Sequence, residues 1–289
     1  MLRLVETPQA IIAVEEHGPE DGTPIILLHG FPYSARGYDA VLPHLAGRRV
    51  LVPHLRGYGE TRLKHSVLRS GAQAALGADL LALMDALAIP QAILAGYDWG
   101  GRAACIVAAL HPARCAGLVT CTGYNIQDIA RSGEPALPDR EMRHWYQWYL
   151  HGERGALGLA RHREEFARLL WAMWSPDWRF TEAEFAASAT HWHNADYVET
   201  VVHSYRHRYA LVDGDPAHAE MEAALVAQPD ITVPSIDIHG GSDGVNPAPD
   251  RPSARFTGRF ERRVLPGVGH NPPQEAPEAF AAALLELMR

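Results

Sequence analysis

Cysteine is scarce in this 289-residue chain, with only Cys105, Cys115 and Cys121. The number is odd and no CxxC pair occurs, which excludes a disulfide framework as an organising device and predicts reduced, buried thiols. Long apolar runs are also missing; stretches such as Ile25-Ile26-Leu27-Leu28 are far too short to span a bilayer. No Lys or Arg run stands out, and 26 basic residues face 34 acidic ones. Nucleic acid and membrane are therefore not expected partners. The opening segment MLRLVETPQAIIAVEE carries acids early and has no signal-peptide core. The expectation is a soluble, cytoplasmic protein. Repeats and low-complexity tracts are absent too.

What is present suits one large α/β domain, or such a domain with an insertion: 47% apolar and 21% charged residues in 31.8 kDa. Strands are expected at Gln9–Glu15, Pro24–His29, Arg49–Pro53, Ala92–Gly96, Gly117–Thr122, Ser235–His239 and Arg262–Leu265. Several are unbroken Val/Ile/Leu runs, as in strands covered on both faces. Helices are expected at Ser70–Ala88, Gly101–His111 and Pro277–Met288. Strand, helix, strand in succession implies crossovers and a mostly parallel sheet. From about Asn125 to Val226 the pattern is helical and aromatic, with Trp145, Trp148, Trp171, Trp174, Trp178 and Trp192. An aromatic helical insert after a strand end reads as a lid over a pocket.

The segment Gly96-Tyr97-Asp98-Trp99-Gly100-Gly101 follows an apolar strand and precedes an Ala-rich helix. It is a G-x-nucleophile-x-G elbow with Asp in the nucleophile's place. A helix N-terminus there aims N–H groups at the side chain. A carboxylate can displace a leaving group from carbon and form an ester, whereas attack on an ester or amide would give an anhydride. Asp98 thus points to epoxides or carbon–halogen bonds. After the Ile25–Leu28 strand comes His29-Gly30-Phe31-Pro32. The Phe31 N–H, paired with that of Trp99, would form an oxyanion hole for hydrolysis of the ester. His270, in Gly267-Val268-Gly269-His270-Asn271-Pro272-Pro273, is the candidate general base. Asp243, after the penultimate strand, would orient it. Asp237 is the rival acid, but it falls inside a strand.

Together these residues resemble the α/β-hydrolase fold, and within it the branch of epoxide hydrolases and haloalkane or fluoroacetate dehalogenases. The anchors are HGFP (29–32), LRGYGETR (55–62), GYDWGG (96–101), DGV (243–245) and GHNPPQEAP (269–277), so the resemblance covers nearly the whole chain. It implies a hydrolase core over 1–124 and 227–289, with a helical cap over 125–226. Epoxide hydrolases of this kind hold and protonate the epoxide oxygen with two lid Tyr hydroxyls. By similarity of HWYQWYL (144–150) and of Ser204-Tyr205-Arg206, these are Tyr146 and Tyr205, with Tyr149 as the alternative to Tyr146.

Fluoroacetate dehalogenases resemble the chain at His144, Trp145 and Tyr205, which there cradle the fluoride, and at Arg102, which there holds the substrate carboxylate. That family has a second Arg directly after the nucleophile, where this chain has Trp99. Haloalkane dehalogenases use a Trp at that place as a halide donor, with an Asn after the first HG or a second Trp as its partner; Phe31 offers no such group. Two departures concern substrate rather than chemistry: Tyr33-Ser34-Ala35-Arg36 lacks a Trp common in epoxide hydrolases, and His54 stands where Asp is frequent.

The leading expectation is an epoxide hydrolase, and the alternative is a hydrolytic dehalogenase of small haloacids. No cofactor or metal is expected; the pairs His191/His193 and His203/His207 lack completing ligands, and Gly57-Tyr58-Gly59 is too short for a dinucleotide fingerprint. The expected partner is a small electrophilic substrate; the oligomeric state is open, since the cap surface could be exposed or buried in a homodimer.

Overall fold

The apolar runs form the middle of one sheet, where both faces are covered. In the computed structural model, which describes residues 1–289, strands β1 (Leu2–Glu6), β2 (Ala10–His17), β3 (Ile25–Leu28), β4 (Val50–Pro53), β5 (Arg62–Leu63), β6 (Ala92–Gly96), β7 (Cys115–Cys121), β8 (Ser235–Gly240) and β9 (Phe260–Leu265) share a single sheet. The spatial order is β1-β2-β4-β3-β6-β7-β8-β9, with β5 on β2. Pairing is antiparallel among β1, β2, β4 and β5, and parallel from β4 through β9. Every residue of β3, β4, β6 and β8 is buried. Helices cover both faces.

Two strands were not anticipated. In β1 only Val5 is buried, so it lacks the two-sided burial that marks the others; β5 is two residues long. Helix α1 (Gln73–Ala86) starts later than the expected Ser70, because Ser70 is buried and its carbonyl accepts from Arg56 Nη1 at 2.8 Å. Helix α2 (Asp98–Leu110) starts earlier than expected, at Asp98 itself.

Between β7 and β8 lie only helices: α3 (Pro138–Arg143), α4 (Trp145–Tyr149), α5 (Glu153–Arg161), α6 (Arg163–Trp174), α7 (Glu182–Ala189), α8 (Tyr197–His207) and α9 (Ala219–Val226), apart from short 3-10 turns. The last of them returns to the sheet's helical layer: the Glu222 carboxylate accepts from Gln73 Nε2 at 2.9 Å and from Ala74 N–H at 3.3 Å on α1. The earlier helices are fastened over the C-terminal ends of the strands. The indole N–H groups of Trp171 and Trp192 donate to the Pro32 and Tyr33 carbonyls, each at 3.0 Å. Asn194 Nδ2 donates to the carbonyls of Gly59 (3.0 Å) and Thr61 (2.6 Å), and Leu63 N–H donates to Asp196 at 3.1 Å. Aromatic residues in this region thus serve two ends, apolar packing and a polar tether. Helices α10 (Pro272–Glu275) and α11 (Pro277–Leu287) complete the chain. No helix is long and apolar enough to cross a membrane.

Candidate active site

The turn from β6 into α2 puts Asp98 at φ +49°, a left-handed backbone that a non-glycine residue adopts only when its surroundings enforce it. The enforcement is steric. A Cβ on Gly100 would lie 1.9 Å from the Leu28 carbonyl oxygen, and one on Gly30 would lie 2.5 Å from Asp98 Cβ. Only glycine lets β3, the HGFP loop and the elbow approach this closely. The same crowding brings Phe31 N–H to Asp98 Oδ1 at 2.8 Å. Trp99 occupies the first turn of α2, where backbone N–H groups have no intrahelical acceptor. His29 locks the loop from behind: its Nε2 accepts from Leu55 N–H at 3.1 Å. Burial pushes its pKa down to about 3, so it stays a neutral acceptor.

Opposite Asp98 Oδ2, at 3.9 Å, is His270 Nε2. That separation is too long for a hydrogen bond, and Nε2 has no other protein partner. The other ring nitrogen, Nδ1, lies 2.8 Å from Asp243 Oδ2. Asp243 is itself fixed, since Oδ1 accepts from Val245 and Asn246 N–H at 2.9 and 2.8 Å. Its rival Asp237 is buried within β8 and accepts from Gly123 N–H at 2.8 Å, tying β8 to the turn after β7. Burial alone would disfavour a charged His270, but the Asp243 and Asp98 carboxylates outweigh it and hold the imidazole at about 10. Asp98 is pushed up by burial, yet His270 and Arg102 beside it bring it below the ordinary carboxylate value. Both shifts run in the direction that favours carboxylate and imidazolium as the pair.

The loop carrying His270 is held by Glu275, a residue sequence reasoning did not single out. Its carboxylate accepts from Gly269 N–H (2.6 Å), Asn271 N–H (3.0 Å) and the Ser175 hydroxyl (2.6 Å). Ser175 Oγ in turn accepts from His270 N–H at 3.0 Å. Ser175 ends α6, so one carboxylate couples the histidine loop to the helical insert.

Above Asp98 the insert contributes a ring cluster. Phe31 stacks on Trp99 at 5.8 Å, and Tyr205 meets Phe31 at 5.3 Å and Tyr146 at 5.4 Å. Tyr146 also faces Trp174 at 5.0 Å, and Trp174 faces His270 at 5.0 Å. Burial raises both phenols, Tyr146 to about 12 and Tyr205 well above the ordinary value, so both remain O–H donors. The Tyr205 hydroxyl and the indole N–H groups of Trp99 and Trp174 are buried without acceptors. Arg102 is buried, with Nε and Nη1 unpartnered. Burial and the neighbouring Arg208 pull its pKa down to about 10.

Asp98, Asp243, His270, Phe31, Trp99, Tyr146, Tyr205 and Arg102 are thus gathered in one place. His144 is half-buried at its edge, 6.4 Å from the Tyr146 ring, and burial lowers its pKa to about 4. Trp145 and Tyr149 stand one layer back. Trp145 packs on Phe166 at 5.7 Å, and Tyr149 stacks on Phe166 at 6.0 Å with its hydroxyl against Gly158 of α5. Of the two alternatives in that segment, Tyr146 is the one turned to the site. Arg208, whose guanidinium carbon sits 4.9 Å from the Tyr205 ring centre, and Trp174 were not singled out from sequence. Neither belongs to a motif; both arrive through the packing of α8 and α6.

The arrangement offers an anchored carboxylate, a base held by a second carboxylate, and several buried donors with nothing to donate to. Comparison with known proteins shows the family. The family model for the alpha/beta hydrolase fold matches residues 23–277. A crystal structure of a "putative epoxide hydrolase from Klebsiella pneumoniae" superposes with a TM-score of 0.97 at 44% identity, covering 99% of this chain and 96% of that one. Epoxide hydrolase A of Mycobacterium tuberculosis is 26% identical over 99% of this chain and 96% of its own length. Epoxide hydrolase B of the same organism is 36% identical over 138 residues, a match spanning 46% of this chain and 38% of that protein. The chain belongs to the alpha/beta hydrolase fold family and is an epoxide hydrolase-like enzyme.

Proposed function

We propose that the protein opens epoxides to vicinal diols through an ester on Asp98. The observation that carries this reading is the asymmetry of the Asp98 carboxylate. Oδ1 is tied to Phe31 N–H at 2.8 Å, while Oδ2 is free and faces His270. Oδ2 attacks an epoxide carbon, and the C–O bond of the ring breaks. The departing oxygen takes a proton from Tyr146 or Tyr205, and the phenolate recovers one from solvent.

Esterification removes the Asp98 charge, one of the two carboxylates that hold His270 protonated. The imidazolium then releases its Nε2 proton to solvent, so a neutral imidazole is available once the ester exists, which is when a base is needed. It accepts a proton from water, whose oxygen attacks Asp98 Cγ. The oxyanion forms at Oδ1, where the Phe31 and Trp99 N–H groups await it; one such donor is worth about 10²–10³ in rate. Collapse breaks the ester C–O bond, His270 returns the proton to the alcohol, and the diol leaves. Residues 125–226, excepting α9, act as the lid that keeps bulk water from the ester.

A specific observation supports a second reading, a hydrolytic dehalogenase. The Trp99 and Trp174 indole N–H groups are buried without acceptors, and so are two nitrogens of the Arg102 guanidinium. The former suit a departing halide, the latter the carboxylate of a small haloacid. Intact-protein mass of His270→Ala tests both. A gain equal to the whole of styrene oxide supports the first reading, and a gain equal to fluoroacetate minus fluoride supports the second. Unmodified Asp98 with both compounds overturns the ester mechanism for these substrates.

A further inference from the structure

Beside Tyr146 on α4 is Gln147, whose side chain is buried away from solvent yet reaches no backbone group. Its two amide atoms are both engaged. Nε2 donates to the Tyr146 hydroxyl oxygen at 2.8 Å, and Oε1 accepts from the Tyr209 hydroxyl at 2.7 Å. An amide oxygen only accepts and an amide NH2 only donates. Tyr hydroxyls can take either role, so the orientation of the amide, with Nε2 toward Tyr146 and Oε1 toward Tyr209, sets the direction of the whole chain. The Tyr209 hydroxyl donates to Gln147 Oε1, and Gln147 Nε2 donates to the Tyr146 oxygen. Tyr146 accepts there, so its own O–H hydrogen is left over, and the protein offers it no acceptor.

We propose that Tyr209 and Gln147 form a one-way hydrogen-bond relay that commits the Tyr146 hydroxyl to donating into the site, which makes Gln147 a positioning residue for ring opening. This rests on the reading that Tyr146 donates to the departing oxygen. Without the relay a phenol beside a polar neighbour can point its hydrogen either way, and only one way serves the leaving oxygen. The relay also strengthens the donor, since a hydroxyl that accepts a hydrogen bond is polarised toward giving its own. Tyr205 has no such partner, so the two phenols are not equivalent.

The test compares wild type, Gln147→Glu and Tyr209→Phe. Two readouts are taken: the alkylation rate with styrene oxide by rapid-quench intact mass, and the phenol carbon of Tyr146 by NMR of labelled tyrosine, assigned with Tyr146→Phe. The ionised carboxylate that Gln147→Glu introduces only accepts, so Tyr146 turns its hydrogen away from the site. Alkylation slows on the order of 100-fold with KM little changed, and the Tyr146 titration moves upward. Acidification protonates the introduced carboxyl, which then has one donor and one acceptor like the amide it replaced, and the lost rate returns. A space-filling role predicts no such recovery. Tyr209→Phe frees the amide to turn and gives an intermediate loss.

A wild-type alkylation rate in Gln147→Glu, or a Tyr146 signal unmoved in both variants, overturns the relay. If the wild type itself opens no epoxide, the substrate reading fails and the phenol signal alone decides: a shift in Tyr209→Phe, which adds no charge, upholds the relay, and no shift overturns it.

Discussion

Replacing Asp243 by Asn exposes how the base is prepared. In the native site Oδ1 of Asp243 accepts two backbone N–H groups, from Val245 and Asn246, and Oδ2 faces His270 Nδ1 at 2.8 Å. An Asn keeps its oxygen on the two N–H groups, so the loop survives. Its NH2 group must then face Nδ1, which turns that nitrogen into an acceptor and moves the ring proton to Nε2, the atom that has to accept from water. The charge is lost as well. The imidazolium is held at about 10 against an ordinary 6.5, a preference on the order of 5 kcal/mol to which Asp243 is the leading favourable contributor. Alkylation of Asp98 needs no base, so it continues at a rate within about an order of magnitude of wild type, while hydrolysis of the ester falls by about 10⁴-fold. The assay is rapid-quench intact mass with an epoxide: the ester builds up to one per chain in Asp243→Asn and stays transient in wild type. An NMR titration of His270 accompanies it and moves downward. Ester hydrolysis at the wild-type rate, or a loss confined to alkylation, would refute the assignment of Asp243 as the group that orients the base.

Other consequences are more local. Gly100→Ala forces a Cβ to 1.9 Å from the Leu28 carbonyl oxygen, a backbone atom of the central strand that cannot step aside; urea unfolding should show a loss of about 3 kcal/mol, and a loss under about 1 kcal/mol contradicts the close-approach argument. Trp171→Phe keeps the ring stacked on Tyr33 but strands the Pro32 carbonyl, at a cost of about 1–3 kcal/mol; unchanged stability would mean that the indole is not a tether. The raised His270 pKa stabilises the fold fully below about 6.5, and this contribution is lost as pH rises through about 10. The wild type should lose stability over that window relative to His270→Gln, and parallel curves of stability against pH would contradict the ion pair.

The two halves of the molecule answer to different constraints. The core spends its glycines on bringing backbone to backbone around Asp98, where a single added methyl meets a carbonyl. The insert works through side chains, with indole and amide groups that reach back to core carbonyls. Glu275 joins the two, since it holds the histidine loop and the end of α6 with one carboxylate. A change in how α6 packs would therefore reach His270 through Ser175 before it reached Asp98.

Sequence alone determined whatever depends on local order. The buried strands were legible because burial on both faces leaves unbroken apolar runs, and the elbow because a strand, a tight turn and a helix must follow one another within a few residues. Asp98, Asp243 and His270 were legible for the same reason, each standing just after a strand. The edge strand β1 was not, because it buries only Val5. Tertiary structure alone decided which aromatic side chains of the insert face Asp98. Tyr146 and Tyr149 lie on one short helix, and nothing in their spacing says that the first meets Tyr205 while the second rests on Phe166. Arg208, Trp174, Gln147 and Glu275 were silent for a like reason. Their roles come from partners far away in the chain or from the direction of one hydrogen bond, and a sequence records neither until helices from separate segments are packed together.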